Sequence, residues 1–406
     1  MPSFESMRYR EFRFYWVSAV LVFFDHGMAN VALGWFVLEL TDSAWWVSVA
    51  VATRGLPMFF LTIPAGVIAD RWDRRKLLIL TQSTGAVSAL IFAALVATDV
   101  ATVAMALVYA TVLGTTNALS LPAQQAVIPM LVPAEHLHNA IVTGTMARTS
   151  SLLIGPVLAG VLIGWVGTGA SFATQAAFLV VSTLLLFPLR SAARRVVDRA
   201  TDAKISLFGE LAEPLQFLGA NRPLLVIVVL LVNMGLFMGG PVQALMSVLV
   251  RDEMGATAKG LGLALGVMAL GTLITSLFLT STGAMRNKGG YFAMSLVGGA
   301  ASFAMIAQSP TLNTALAFFF VLGVFSGFFQ AMSQSLLQSH TPEALMGRVI
   351  GVNMQASLGT IPLGALLVGV MASLWDPSTA AAAAAGACMT ISFVALVAFP
   401  SFRRLS

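Results

Sequence analysis

Residues 66–76 read Gly-Val-Ile-Ala-Asp-Arg-Trp-Asp-Arg-Arg-Lys, a short run in which two aspartates stand among four cations. Long apolar stretches border this run on both sides, at 44–68 and 77–97. Each is long enough to cross the roughly 30 Å hydrocarbon core of a bilayer as a helix. The run is therefore placed as a short polar loop at a membrane surface.

The composition of the whole chain agrees with this placement. Of 406 residues, 58% are hydrophobic and 10% charged, and the mean hydropathy is +0.89. Soluble globular proteins carry about 25% charged residues, so the composition excludes a soluble enzyme, a disordered chain and a nucleic-acid-binding domain. The single cysteine, Cys388, excludes an internal disulfide framework and a cysteine metal cluster. We expect no metal and no cofactor.

Ten further apolar stretches follow the same pattern, because backbone polar groups in lipid must be satisfied inside each segment by a helix. The sequence thus predicts an all-α membrane protein with twelve transmembrane helices. The predicted spans are 14–38, 44–68, 77–97, 102–128, 140–164, 170–189, 222–249, 259–282, 291–308, 312–337, 348–373 and 379–400.

The distribution of cations predicts the orientation. With the N-terminus in the cytoplasm, the cytoplasmic segments hold eighteen of the 22 Lys and Arg residues and the outer segments hold two. This is a strong positive-inside asymmetry. The basic excess is therefore a topology signal and not a nucleic-acid site. We expect a multi-pass protein of the inner membrane, monomeric, with both termini in the cytoplasm.

A charged break divides the twelve spans into two sets of six. The predicted organisation is an N-terminal half at 1–189, a cytoplasmic linker at 190–221 and a C-terminal half at 222–406. The breaks at Pro133 and Pro342 resemble each other, and each precedes a span with a proline among glycines. Duplicated six-helix halves are typical of transporters whose substrate sites lie near the membrane midplane. The alternative is coincidental turn chemistry between membrane helices.

The loop at 66–76 resembles the signature loop of the major facilitator superfamily, Gly-x-x-x-Asp-Arg-x-Gly-Arg-Arg/Lys. The segments 10–16, 38–43 and 122–129 resemble the branch that holds the enterobactin exporter and macrolide efflux proteins. The resemblance covers the entire chain. It implies the twelve-helix fold of that superfamily and transport of the drug:proton antiporter type.

The loop also suggests a cytoplasmic gate, formed by Gly66, Asp70, Arg71, Arg74 and Arg75. Gly66 would let helices approach closely, and the Asp70 carboxylate could pair with a loop arginine or face a helix N-terminus. The resemblance implies that this N-terminus is that of the eleventh span, near Gly347-Arg348. The alternative is a solvated basic loop. The sequence departs from the family pattern at Asp73, where glycine is usual.

The fifth span holds Gly155, Pro156 and Gly160, which resemble the family's antiporter motif. The resemblance implies a kinked, glycine-faced helix at the interface between halves and favours an exporter. Gly160 and Gly164 additionally form a Gly-x-x-x-Gly pair that permits close packing. The alternative is an ordinary proline kink.

Three ionisable residues lie deep within spans of the first half: Asp25, Arg54 and Arg148. At 1.5 Å per residue, they lie about 16, 20 and 12 Å from the inner ends of their helices. Charges at such depth usually face a cavity and mark a transport pathway. We expect Asp25 to pair with Arg54 or Arg148 and to bind the coupling proton, while the excess positive charge would suit an anionic or zwitterionic substrate. The alternative is a structural ion pair.

The second half has no deeply placed charge. Its candidate cavity residues are neutral and polar, namely Asn233, Gln330, Gln334 and Asn353. Methionine and phenylalanine side chains near them suit varied apolar ligands.

These features favour a secondary active transporter, which by proton-coupled alternating access exports an amphipathic small molecule such as a drug or siderophore. The alternatives within this fold are an uptake symporter and a lipid or lysophospholipid translocator. A transport-inactive sensor remains a further alternative. We do not expect an intramembrane enzyme, and the chain has no phosphate-binding Gly-x-x-x-x-Gly-Lys-Ser/Thr loop that would bind ATP.

The gate hypothesis predicts that Asp70→Asn shifts the conformational equilibrium away from the outward-open state, because the carboxylate that would hold the halves together on the cytoplasmic side is lost. The measurement is the accessibility of single engineered cysteines on the cytoplasmic side to a membrane-impermeant thiol reagent. An unaltered pattern of accessibility would remove the gate hypothesis.

Overall fold

The structure is a computed structural model that describes residues 5–189, 219, 221–281, 287–341, 346–403 and 405. The predicted linker at 190–221 lies outside the described residues, except for Gly219 and Asn221. Within the described ranges the chain is helical and contains no strand.

Twelve helices in the described ranges are long and apolar enough to cross a membrane, which confirms the predicted number. In chain order they are α1 (Arg10–Thr41), α2 (Ala44–Arg71), α3 (Arg74–Ala97), α4 (Val103–Leu131), α5 (Leu137–Val166), α6 (Thr168–Leu186), α7 (Arg222–Glu253), α8 (Ala258–Ser281), α9 (Lys288–Ala307), α10 (Leu312–His340), α11 (Met346–Ser357 and Ile361–Leu374) and α12 (Pro377–Ala398).

Two helices are interrupted. In α7, π-helical segments at Gly235–Gly239 and Leu249–Glu253 interrupt the α-helical hydrogen bonding. In α11, the turn at 358–360 separates the two α-helical pieces. Single π-helical turns inside α-helices are frequent at functional sites.

Short polar side chains begin several helices. Thr102 and Thr311 accept hydrogen bonds from the backbone N–H groups of Met105 and Thr314 at the starts of α4 and α10, both at 3.4 Å. At the start of α12, Asp376 accepts from Ser378 Oγ at 2.6 Å and from the Thr379 N–H at 2.8 Å. These hydrogen bonds hold the pKa of the Asp376 carboxyl below its ordinary value. Each cap satisfies a backbone donor that the helix leaves free.

The chain forms two compact units. The first comprises Met1–Asp42 and Thr53–Asp202, and the second comprises Ser43–Ala52 and Ala203–Ser406. The start of α2 thus belongs to the second unit and the rest of that helix to the first. Within the first unit, α1 packs on α5 and α6, and α3 packs on α4 and α6. Within the second, α10 packs on α8 and α9, and α11 and α12 pack on α7.

The same glycine contact joins helices in both units. In the first, a Cβ atom on Gly155 of α5 would lie 2.9 Å from Gly27 Cα of α1. In the second, a Cβ atom on Gly240 of α7 would lie 2.7 Å from Gly364 Cα of α11. A side chain fits at neither position, so backbone packs directly on backbone, as small residues permit in membranes.

A second pair of contacts repeats in the same way. A Cβ atom on Gly114 of α4 would collide with the carbonyl oxygen of Arg54 of α2. A Cβ atom on Gly323 of α10 would collide with the carbonyl oxygen of Met268 of α8. These matched contacts show that the two units are built on one helix arrangement, which allows each position in one unit to be compared with its counterpart in the other.

The crossing between α7 and α11 yields a stability prediction. Gly240→Ala should lower the free energy of unfolding of the purified protein by about 1–3 kcal/mol, because an overpacked contact forces the backbone to shift. Gly386→Ala is the matched control, because a Cβ atom on Gly386 of α12 would meet no described atom within 4 Å. It should be neutral or slightly stabilising. Equal melting temperatures of the two variants in detergent would contradict the close crossing.

Candidate functional site

Asp25 lies in the interior of the first unit, on α1. Its side chain is 1% exposed, and among the described residues its Oδ1 atom has no hydrogen-bond partner. Because an unpaired carboxylate oxygen away from water is costly, this atom is poised to take a proton or another partner.

Asp25 lines a small cavity of about 20 Å³ between α1, α3, α4 and α6. Most of the other lining side chains are polar: His26, Thr81, Gln82, Thr116, Asn117 and Ser120. The apolar lining residues are Val22, Leu113 and Leu179. A buried acid thus faces a set of hydroxyl and amide groups, which is the arrangement that can hold and pass on a proton.

A buried hydrogen-bond network fixes the wall of this cavity. The Ser18 hydroxyl lies 2.7 Å from Ser182 Oγ, and the Ser182 hydroxyl donates to Gln82 Oε1 at 2.8 Å. All three side chains are at most 5% exposed. The network ties α1, α3 and α6 together, so that Gln82 is held in place beside the acid. Fully satisfied buried networks of this kind rigidify a core.

The two deep arginines of this unit have partners other than a direct ion pair with Asp25. Arg54 donates through a guanidinium N–H to Oδ1 of Asn30, and its charge acts on Asp25 electrostatically. The guanidinium of Arg148 lies over the ring of Phe23, 5.8 Å from its centroid. The direct ion pair expected from the sequence is therefore not formed among the described residues, because an amide and a ring take the contacts instead.

Tyr109 of α4 is a member of this group that sequence reasoning missed. Its side chain is 3% exposed, its hydroxyl has no hydrogen-bond partner among the described residues, and it interacts electrostatically with Asp25 and Arg54. Its ring stacks on Phe92 with centroids 4.6 Å apart. The available signal was a single polar hydroxyl inside an apolar span, which is weaker than the signal of a full charge.

The signature loop is anchored within the first unit by its arginines. Arg75 donates to the backbone oxygens of Leu186 and Phe187 at 3.0 and 2.6 Å. Arg74 donates to the Ala126 oxygen at 3.0 Å. Leu186 is the last residue of α6, so Arg75 satisfies carbonyls that a helix end leaves free and complements its partial negative charge.

Other members of the predicted gate behave differently. The side chains of Asp70 and Arg71 lie outside the described part of the structure, as does that of Arg348. A Cβ atom on Gly66 would meet no described atom within 4 Å, so the close approach expected there is not found. Asp73, the departure from the family pattern, caps α3 by accepting from the Lys76 N–H at 3.1 Å.

The antiporter-like motif lies against α1 of its own unit. Pro156 Cδ would lie 3.0 Å from a Cβ atom on Gly27, and Gly155 forms the backbone contact described above. Gly160 is buried further along α5. The motif therefore places α5 against the helix that carries Asp25, two residues from Gly27.

The neutral candidates of the second unit occupy different environments. Asn233 is 3% exposed and donates to Ser392 Oγ at 3.0 Å and to the Cys388 oxygen at 3.3 Å, so it lies in the contact between α7 and α12. Gln330 and Gln334 are exposed on α10. Asn353 is half-buried, and its Oδ1 atom has no hydrogen-bond partner among the described residues.

The fold and a buried polar cavity in a membrane bundle define a class of protein, the membrane transporters of the major facilitator type. Solved structures of that class match the chain throughout. A nucleoside transporter, NupG, has a TM-score of 0.74 at 15% identity, covering 96% of this chain and 99% of that one. A bacterial homologue of the human lysosomal transporter Spinster has a TM-score of 0.72 at 15% identity, covering 97% and 96%.

The chain belongs to the transmembrane secretion effector family, whose model matches residues 1–404. Among curated relatives, the staphyloferrin A transporter of Staphylococcus aureus is 23% identical over 369 residues, covering 89% of this chain and 90% of the relative. The enterobactin exporter EntS of Escherichia coli is 25% identical over 382 residues, covering 93% and 89%. The protein is thus a multi-pass membrane transporter, and its family is one of transporters.

The anchoring of α6 gives a prediction for Arg75. Arg75→Gln should lower the stability of the purified protein by about 1–3 kcal/mol, because hydrogen bonds from a charged donor to two carbonyls are lost. The measurement is the melting temperature in detergent. Lys76→Gln is the control, since it removes a neighbouring exposed cation of the same loop. A similar small change in both variants would show that Arg75 acts only through its charge.

Proposed function

We propose that the protein is a secondary active transporter that exports an amphipathic small molecule in exchange for protons, by alternating access of its two halves. The observation that carries this proposal is Asp25, a buried acid with an unpartnered oxygen in a polar cavity. A carboxyl group so placed inside a membrane helix is expensive unless it has a functional partner.

The chemistry of the site suggests how protons and substrate would be coupled. When Asp25 is ionised, its negative charge is balanced by the nearby charge of Arg54, with which it interacts. In this ionised state, its carboxylate together with the cations of Arg54 and Arg148 would suit a zwitterionic substrate. When Asp25 takes a proton, the partner of the substrate's positive group is lost and the affinity for the substrate falls. Proton and substrate would therefore exclude each other by the same factor in both directions, which is what an exchange mechanism requires.

The relatives support the direction and the substrate class. One relative is an exporter of enterobactin and another transports staphyloferrin A, so we propose a siderophore-like or drug-like compound as cargo. The cation distribution supports cytoplasmic termini, an inner-membrane location and halves at 1–189 and 222–406 joined by the linker. We further propose that the protein acts as a monomer and that Asp70 with its loop forms the cytoplasmic gate.

The test uses everted membrane vesicles with an acidic lumen, supplied with enterobactin, staphyloferrin A, a macrolide, ethidium or lysophosphatidylcholine. The wild-type protein should accumulate at least one of these compounds in the lumen, and accumulation should stop when the pH gradient is collapsed. Asp25→Asn should reduce gradient-driven accumulation to that of vesicles without the protein, because the exchangeable proton is lost. Any binding of the compound that remains should no longer depend on pH, because the titrating group is lost.

Asp99→Asn is the matched control for the loss of a carboxylate. Asp99 is exposed after α3 in a left-handed conformation with φ 56, which asparagine also adopts, so accumulation should be unchanged. Full gradient-driven accumulation by Asp25→Asn would reject the proton role. A gradient that drives the compound out of the lumen instead would reject export.

A further inference from the structure

A second cavity lies inside the second unit, between α7, α8, α9 and α10, and has a volume of about 140 Å³. This volume is close to the roughly 150 Å³ of an engineered apolar cavity that binds benzene. Its wall consists mainly of large apolar side chains: Met234, Met238, Met268, Leu296, Phe325 and Phe329.

The few hydroxyl groups in this wall are already engaged. Ser295 donates to the Phe292 oxygen at 2.7 Å, one turn back in its own helix. Ser326 accepts from Gln330 Nε2 at 3.4 Å. No charged side chain lines the cavity among the described residues. A bound group would therefore gain little from hydrogen bonding and much from apolar contact.

Two adjacent glycines of α9 shape the cavity. A Cβ atom on Gly298 would collide with the ring of Phe325, so the absence of a side chain lets this ring lie directly against the helix backbone. A Cβ atom on Gly299 would lie 3.7 Å from Phe325 Cβ and 3.8 Å from Leu322 Cδ1, which are ordinary contacts. Gly299 thus leaves room that a larger side chain could fill.

The apolar cavity occupies the same place in its unit as the Asp25 cavity does in the first. Asp25 and Met238 each precede by two positions the glycine at the matched crossing, Gly27 or Gly240. Arg54 and Met268 each supply the carbonyl at the other matched crossing. Two members of the charged group, Asp25 and Arg54, are therefore matched by methionines in the second unit.

The lining residues of the neighbouring helices show the same replacement of polar by apolar side chains, at the same spacing. On α4 the lining residues are Leu113, Thr116, Asn117 and Ser120, and on α10 they are Leu322, Phe325, Ser326 and Phe329. On α3 and α9, Gln82 and Gly85 correspond to Leu296 and Gly299. One architectural site thus appears twice, once with polar and once with apolar chemistry.

We infer that the apolar cavity of the second unit binds an aromatic ring of the transported molecule, while its polar counterpart serves the coupling proton. This inference rests on the proposed transport function and names the part of the substrate that the second unit recognises. Methionine sulfur makes favourable contacts with aromatic rings and adapts to different shapes, and phenylalanine rings add edge-to-face contacts. The three methionines and two phenylalanines therefore favour an aromatic group.

The test follows the methionine methyl groups by NMR in protein labelled with [methyl-¹³C]methionine and held in lipid nanodiscs. The signals of Met234, Met238 and Met268 are assigned by single substitutions to leucine, and 2-naphthol is the probe. The ring of 2-naphthol should shift these three signals in a saturable way, and by more than the signals of the other methionines among the 20 in the chain. Gly299→Leu should abolish the shifts, because its side chain fills the space.

Gly386→Leu is the matched control, since the same side chain enters open space on α12, and it should leave the shifts intact. Met238→Phe fills the cavity from α7 and gives a second test if Gly299→Leu does not fold. Shifts scattered over other methionines, or shifts that persist in both filled variants, would overturn the site. Shifts produced by 1-octanol and not by 2-naphthol would identify an acyl-chain site and equally overturn it.

The NMR measurement uses no ion gradient, so it separates this site from the proposed transport function. Loss of the ring-dependent shifts alongside intact proton-driven accumulation would remove the aromatic site and leave the transporter. Intact shifts together with full gradient-driven accumulation by Asp25→Asn would keep the aromatic site and reject the proton role of Asp25.

Discussion

Backbone polar groups in a bilayer have no water to bond, so each transmembrane segment must satisfy its own N–H and C=O groups as a helix. Helices that are already satisfied, in a solvent as apolar as their side chains, associate mainly through close packing. This constraint explains why matched glycines define both units. Gly155 on Gly27 and Gly364 on Gly240 bring backbones into contact.

The same apolar surroundings make the contrast between the two units informative. A charge in hydrocarbon costs several kcal/mol unless it is paired or hydrated, so burial of Asp25 and Arg54 carries a cost that their surroundings must offset. Their counterparts Met238 and Met268 carry no such cost. The first unit therefore concentrates ionic chemistry in a small polar cavity, and the second offers a larger apolar one. The proposed exchange of a proton for an amphipathic molecule would use both kinds of site.

The contacts of the signature loop show that this motif stabilises local structure within the first unit, apart from any role in gating. Asp73 begins α3, and Arg75 satisfies the free carbonyls at the end of α6. These contacts lie inside one unit and fix the loop in position. They also explain how the chain tolerates an aspartate where the family pattern has glycine, because the carboxylate serves as a helix cap.

Much of this protein could be predicted from its sequence. Apolar stretches of membrane-spanning length and a low content of charge predict twelve helices, since the bilayer leaves a buried backbone few alternatives. The depth of Asp25 in an apolar span marked it as a candidate site residue, because a charge at that depth is costly unless a partner or water compensates it. The signature loop at 66–76 indicated the family because its motif is contiguous in sequence and can be recognised without knowledge of tertiary contacts.

Only the tertiary structure decided which groups meet. In the structure Arg54 donates to Asn30, and Arg148 lies over the ring of Phe23. Tyr109 interacts with the charged group, and Asn233 lies in the contact between α7 and α12. The structure also revealed that the Asp25 cavity and the methionine cavity are counterparts. Such pairings depend on helix rotation and crossing, which are set by packing between segments distant in sequence, and an apolar residue has the same hydropathy whether it lines a cavity or faces lipid.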